Sequence, residues 1–457
     1  MLEYPLSLQG KSVMSTKDYS QYQSLYNEFE WLIPHNLNIA EMCCHRWAAN
    51  PHEARRAAIF FEDQVGQLTE YSYKKLADTV TKLARGFLRM GVRPQDRILI
   101  ITQHSAEAAV CVLAALTVGA LAVPLPANLT SAQYQARFID TQAKVAVIDH
   151  TTISNVMGAI DNASTVKQII GIHTEDERLI QWRTLLARQD THPLFTQTSA
   201  STPAILMYSD DPNSLESEIF THSCLIGTLP GFVCSQNWYP QTGDIFWSNY
   251  GFDTPKGIIH ALLPVLYFGN TIVGCPSGRT MPRLFNLLQH YQVTNILITA
   301  KELDRIKENI TSEQISDYDI NIRNIACESS DLSQDTKDWI EANLHTTINT
   351  FFSHPKAFYI AGDANIKWPQ ADVRSLGMPY PGHKLAIFNA KGKEVANGEV
   401  GDLHIFLNDK HDYPDPIISK MYWKDKQRHR HDYVDAESIN LGIKAKFDEY
   451  GRLWKIS

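Results

Sequence analysis

Residues 206 to 222 read LMYSDDPNSLESEIFTH, an apolar strand, a polar turn and what reads as a helix beginning at Thr221 and His222. A turn in that position is where many proteins cradle phosphate, because unpaired backbone N–H groups and a helix N-terminus both favour an anion. This turn contains no glycine and four acids, Asp210, Asp211, Glu216 and Glu218. It has the place of a phosphate loop and the wrong charge for one. His222 and His354 are the other candidates for chemistry, being ionisable near neutral pH. Neither belongs to a Ser-His-Asp or Cys-His arrangement legible in the sequence, and a lone histidine is more often a hydrogen-bonded framework residue. No Cys/His spacing suggests a metal site, so none is expected.

The elements that must carry these residues alternate along the chain. Candidate strands are 97–102, 143–149, 167–172, 204–209, 270–275, 294–299 and 346–352, with amphipathic helical segments at 73–90, 256–269 and 282–292. Short continuous apolar strands separated by helices imply parallel sheets covered by helices. From about residue 370 the pattern becomes β-rich: residues 383–407 read as two strands around an NAKG turn, then a second turn and a third strand. The apolar run 108–126 has the length of a membrane span, but Gly119 and Pro124 split it into a buried helix and a core strand.

With 457 residues the chain can bury several sizeable cores. Fifty acidic against 42 basic residues, net charge -8, give no basic field for nucleic acid or anionic membranes. The RHRH run at 428–431 reads as a solvated surface segment. Seven scattered cysteines without a C-x-x-C pair suit a reducing cytoplasm, and the N-terminus lacks the apolar core of a signal peptide.

Several segments together resemble the large N-terminal domain of the adenylate-forming ligases, closest to acyl-CoA synthetases of the acetyl and medium-chain type. They are 29–47, 70–125, 244–273, 375–405 and 447–457. The resemblance implies an α/β fold, parallel-rich sheets sandwiched by helices with a β-rich, barrel-like terminal unit. It divides the chain into an extension (1–28), α/β subdomains (29–370) and the β-rich subdomain (371–457). Such enzymes use ATP, Mg2+ and CoA or a carrier thiol to make an acyl-adenylate and then a thioester.

The family's nucleotide motifs fall on altered residues. Where its loop reads Y-T-S-G-T-T-G-x-P-K-G, Ser209 keeps the serine, Asp210 and Asn213 replace glycines, and Glu216 replaces the lysine, ahead of the matching Thr221–His222 pair. A lysine-to-glutamate change reverses a charge term of roughly 4 kcal/mol for charges about 4 Å apart at an effective dielectric near 20. Its magnesium motif Y-G-x-T-E falls on Phe351 to Pro355, beside His354, with a proline where the glutamate belongs. Proline offers no side-chain oxygen to a hard cation. The adenine-side motif becomes Glu328 to Ser330, and Ile443 stands in place of the ribose-binding aspartate. The resemblance also implies an acyl pocket near Tyr250 and Phe252.

The resemblance ends at the family's hinge segment, so the C-terminal lid is expected to be absent and no cofactor is expected to bind. The foremost expectation is a catalytically degenerate relative acting as a binding or scaffold partner, for a second copy, an active ligase or an acyl carrier protein. A divergent ATP-dependent acid–thiol ligase is the alternative, and a fold reused for ATP-independent acyl chemistry is a third for which no nucleophile can be named. No nucleic acid and no membrane span are expected. A face around His354, Tyr380 and Trp454 is the expected contact surface.

Overall fold

The computed structural model describes residues 16–160, 165–194, 196–329, 331–368, 372–418, 421–422 and 437–456. Residues 1–15 of the extension and the RHRH run lie outside the described residues.

Two sheets organise the chain, one of thirteen strands and one of eight. The eight-stranded sheet is built around the parallel strands Arg97–Ile101, Leu121–Pro124, Val145–Asp149 and Gln168–Ile172. Apart from Arg97, Asp149 and Gln168 at their ends, their residues are apolar or glycine and mostly buried, as in a parallel sheet covered on both faces. The run 108–126 resolves as expected: the helix Ala106–Thr117, capped by the Ser105 side chain, stops before Gly119 at φ +69, and the strand Leu121–Pro124 follows. Among the described residues no helix is long and apolar enough to cross a membrane.

In the larger sheet, the parallel strands Ile245–Ser248, Thr271–Gly274, Asn295–Ile298, Asn324–Glu328 and Ile348–His354 form the middle. Helix Tyr73–Arg89 buries Leu76, Val80, Leu83 and Phe87, one stripe at helical spacing, and the Ser72 hydroxyl accepts from Lys75 N to start it. The helical stretch 255–267 covers the same sheet; it starts at a Thr254 cap and contains a π-helical turn at Ile258–Leu262.

Three expectations change. The terminal β-rich unit is no closed barrel: strands Ser375–Pro379, Leu453–Lys455, Ser438–Phe447, Gly401–Phe406 and Leu385–Phe388 extend the thirteen-stranded sheet to its edge. Between Leu385–Phe388 and Gly401–Phe406 the expected middle strand is reduced to one bridge, Phe388 with Glu394, because the outer two pair directly with each other. Thr221 and His222 do not start a helix. Thr221 ends a strand, Ser217–Thr221, antiparallel to Pro203–Tyr208, and the helix begins only at Cys224.

The helix Thr16–Glu28 is seated on the far end of the chain. Tyr22 Oη donates to Pro379 O at 2.9 Å and Tyr26 Oη to His383 O at 2.7 Å, while Tyr19 meets the Tyr450 ring edge-on.

Candidate functional site

The acidic turn is the tip of a hairpin. Tyr208 is paired with Ser217, and Ser209 N donates to Glu216 O at 2.9 Å across the base. Within the tip, Asp211 Oδ1 accepts from Asn213 N at 2.9 Å, Asp211 O from Ser214 N at 3.1 Å, and Ser214 Oγ from Glu216 N at 3.0 Å. A phosphate loop turns such amides outward; here four of them, those of Ser209, Asn213, Ser214 and Glu216, are consumed inside the loop. Arg137 braces it from beneath. Its guanidinium donates to Pro212 O and Ser214 O, both at 3.1 Å, and lies 5.0 Å from the Tyr208 ring centre, whose hydroxyl donates to Asp140.

This hairpin forms one wall of a cavity of about 780 Å³. Ser209, Asp210, Glu216 and Glu218 line it, with Glu328, His354 and Pro355 from other elements, so the fold brings together seven of the positions singled out in the sequence. The opposite wall is the hairpin between strands Ile348–His354 and Ala357–Gly362. His354 is held at its turn: Nδ1 accepts from Lys356 N at 3.2 Å and the ring bonds the Leu441 backbone. Burial pushes its pKa down to about 4, so it is neutral at pH 7 rather than poised to titrate there. Pro355 occupies the exposed turn with no side-chain oxygen.

The Glu328 carboxylate sits at the end of its strand and accepts from Lys256 Nζ at 2.7 Å. It also bonds the Tyr250 hydroxyl, whose pKa is raised, chiefly by burial. Tyr250 therefore stands behind the cavity-lining Glu328.

The remaining positions are elsewhere. Phe252 is fully buried, its ring 4.6 Å from that of His104 and its N–H given to His104 Nδ1 at 2.9 Å; it packs the core and does not line the cavity. Phe351 is equally buried, 4.5 Å from the Tyr359 ring. His222 Nδ1 accepts from Ile39 N at 3.1 Å, and burial lowers its pKa to about 4, so it too is neutral framework at pH 7. Thr221 Oγ1 lies 2.8 Å from Ser223 Oγ. Ile443 is half-buried on strand Ser438–Phe447, not among the cavity-lining residues. Of the expected contact face, Tyr380 has no exposed surface and its hydroxyl donates to Asp363 O at 3.1 Å, while Trp454 Nε1 donates to Asp448 Oδ2 at 3.0 Å. Tyr380 is thus unavailable to a partner.

Sequence reasoning missed Lys256, Lys356 and Phe358 on the cavity walls. A signal existed for Lys256: Thr254-Pro255 is a helix-start pattern that places the next side chain at a helix mouth. Phe358 carried none, since the fold alone decides which aromatic of FFSHPKAFY faces the cavity. Among the described residues no group of three or more His, Cys, Asp or Glu could hold a metal ion.

Residues 45–209 match the family described as AMP-binding enzyme. The chain is 22% identical over 408 residues to an uncharacterized acyl-CoA ligase, YtcI, of Bacillus subtilis, covering 88% of this chain and 73% of that protein. It is 24% identical over 473 residues to acetyl-coenzyme A synthetase of Nitrosomonas europaea, covering 93% and 68%. Its fold matches a crystal structure of a Brucella canis acyl-CoA synthetase with a TM-score of 0.84 at 17% identity, over 95% of this chain and 79% of that one. The anthranilate CoA ligase AuaEII, solved with anthranoyl-AMP, matches with a TM-score of 0.79 at 16% identity, over 93% and 78%.

Proposed function

Starting from a chain that belongs to the adenylate-forming superfamily and is acyl-CoA synthetase-like, we propose that it no longer forms adenylates and serves, in the cytoplasm, as a binding or scaffold protein. The observation that carries this reading is the hairpin Tyr208–Ser217: four of its amides, those of Ser209, Asn213, Ser214 and Glu216, are satisfied internally, and the side chains it presents to the cavity include Asp210 and Glu216. A triphosphate there would meet carboxylates instead of N–H donors. Pro355, on the facing turn, offers no ligand to Mg2+. ATP and Mg2+ therefore do not fit the residues present.

A specific observation supports the second reading, a divergent ATP-dependent acid–thiol ligase. Lys256, paired with Glu328, and Lys356 both line the cavity, so two lysines reach it from elements other than the acidic loop. One experiment separates the readings. Calorimetry with ATP and Mg2+, and with a non-hydrolysable acyl-adenylate mimic, should show no binding at micromolar concentration; acid-dependent release of pyrophosphate would establish the ligase.

A further inference from the structure

We propose that Phe358 is a gate, and that its turning into the cavity opens a subsite in which the His260 imidazole receives the hydroxyl of a neutral aromatic ligand. The proposal goes beyond the reading above and does not depend on whether the chain forms adenylates.

The observation behind it is His260. Its side chain has no exposed surface, and neither ring nitrogen has a hydrogen-bond partner among the described residues. Burial, with Lys256 nearby, pushes its pKa down to about 3, so at pH 7 the ring is neutral and carries one donor and one acceptor. Buried polar atoms are nearly always paired, and two unpaired atoms on one ring call for an explanation. The ring stands on the π-helical turn Ile258–Leu262, an irregularity frequent at functional sites. Its neighbours are aromatic: Phe351 at 5.6 Å, Phe358 at 5.0 Å and Tyr359 at 4.7 Å between ring centres.

Of these three only Phe358 lines the cavity, so its ring stands between the void and the imidazole. The backbone that carries it leaves the regular ladder. Between the pairs Phe352–Ala361 and His354–Ala357, the residues Phe358, Tyr359 and Ile360 all stand opposite Ser353. Tyr359 has φ +52, which a bulky residue rarely adopts; its N–H is given to Ser353 Oγ at 2.9 Å and its hydroxyl to His260 O at 3.0 Å. Strain pinned in this way clusters at ligand clamps and switch regions. The hydroxyl bond also anchors the turn that carries the imidazole independently of Phe358. A close-packed interior gives a ring no room to turn, and the cavity of about 780 Å³ gives Phe358 that room.

The vacated space selects the ligand. It is bounded by the rings that Phe358 packs against, Phe220 at 4.9 Å and His260, so a flat apolar ring replaces it with the same kind of contact. A neutral hydroxyl pairs with the neutral imidazole, whereas a charged group would lose its hydration among aromatic rings.

The test titrates phenol, neutral at pH 7, and fluorobenzene, of similar shape without the O–H, into the full chain by calorimetry. Phenol should bind at least about tenfold more tightly, a difference of the size of one hydrogen bond. Phe358→Ala should raise the affinity for phenol, because no ring has to move aside, and Phe358→Ala with His260→Phe should bind the two probes alike. In the unsubstituted protein the imidazole nitrogen resonances of His260 should shift with phenol and not with fluorobenzene, a readout that does not depend on the variants folding. Equal affinities, binding of neither probe, His260 resonances that phenol leaves unmoved, a preference that survives the double substitution, or a Phe358→Ala affinity no higher than that of the unsubstituted protein overturns the proposal.

Discussion

Glu328 and Lys256, 72 residues apart in the chain, meet at 2.7 Å and tie the end of a central strand to the start of the helical stretch 255–267. Glu328 serves two donors, since the Tyr250 hydroxyl shares it. The lysine side chain is 40% exposed, so Lys256→Met should cost about 1 kcal/mol or less, as exposed pairs do. Glu328→Ala should cost more, about 1–3 kcal/mol, because it leaves the buried Tyr250 hydroxyl without that acceptor. Urea unfolding of both variants checks the order, and a larger loss in Lys256→Met would place the stabilisation in the ion pair instead.

Acidification should destabilise the fold between about pH 6.5 and 4. Burial lowers the pKa of His45, His222 and His354 to about 4 and of His104 and His260 to about 3. Each therefore contributes stability that is complete above its ordinary 6.5 and is lost as pH falls, because the unfolded chain takes up the proton first. Asp253 and Asp363, pushed up to about 6 by burial, act oppositely: their contribution is present below their ordinary 3.8 and is lost as pH rises through about 6. The five large histidine shifts outnumber the two large carboxyl ones, so the unfolding free energy should fall from pH 7.5 to 6 to 5. A flat profile would show that the histidines are not held neutral.

Arg137→Ala should loosen the acidic hairpin. The guanidinium spans two carbonyls, Pro212 O and Ser214 O, which an ammonium cannot bridge in the same way. Limited proteolysis should cut between 209 and 216 faster in the alanine variant, and Arg137→Lys should recover little of the protection. Full recovery by lysine would mean that charge alone, and not the fork, holds the loop.

Gly231→Ala should destabilise the core by about 1–3 kcal/mol through overpacking. A Cβ at Gly231 would stand 2.4 Å from Tyr359 Cβ and 2.9 Å from Tyr359 O, where helix Cys224–Ser235 crosses strand Ala357–Gly362. A loss in thermal midpoint checks it; an unchanged midpoint would mean that the helix lifts off at no cost.

Buried parallel strands were the most legible part of the sequence. Runs such as RILII and VAVID are apolar except at one end, and the observed strands Arg97–Ile101 and Val145–Asp149 lie within two residues of the expected 97–102 and 143–149. The hairpin that ends at Thr221 was not legible, because SEIFT mixes polar and apolar residues that only its partner strand makes sense of; all but Thr221 are buried. Site positions set by linear order, such as Ser209 and Pro355, reached the cavity. Those whose direction depends on strand register did not: Phe351 faces the core, and Phe358 from the next strand faces the cavity. Hydrogen bonds such as those consuming the loop amides depend on local turn geometry, which composition does not reveal.

The tyrosine-lined helix Thr16–Glu28 bonds to carbonyls 357 residues further along. At a synthesis rate of about 5–20 residues per second, that seat leaves the ribosome some 20–70 seconds after the helix does. Throughout that interval the Tyr22 and Tyr26 hydroxyls lack the carbonyls that accept from them in the folded chain. The helix Thr16–Glu28 is thus a waiting segment, made well before the stretch around Pro379 and His383 that seats it.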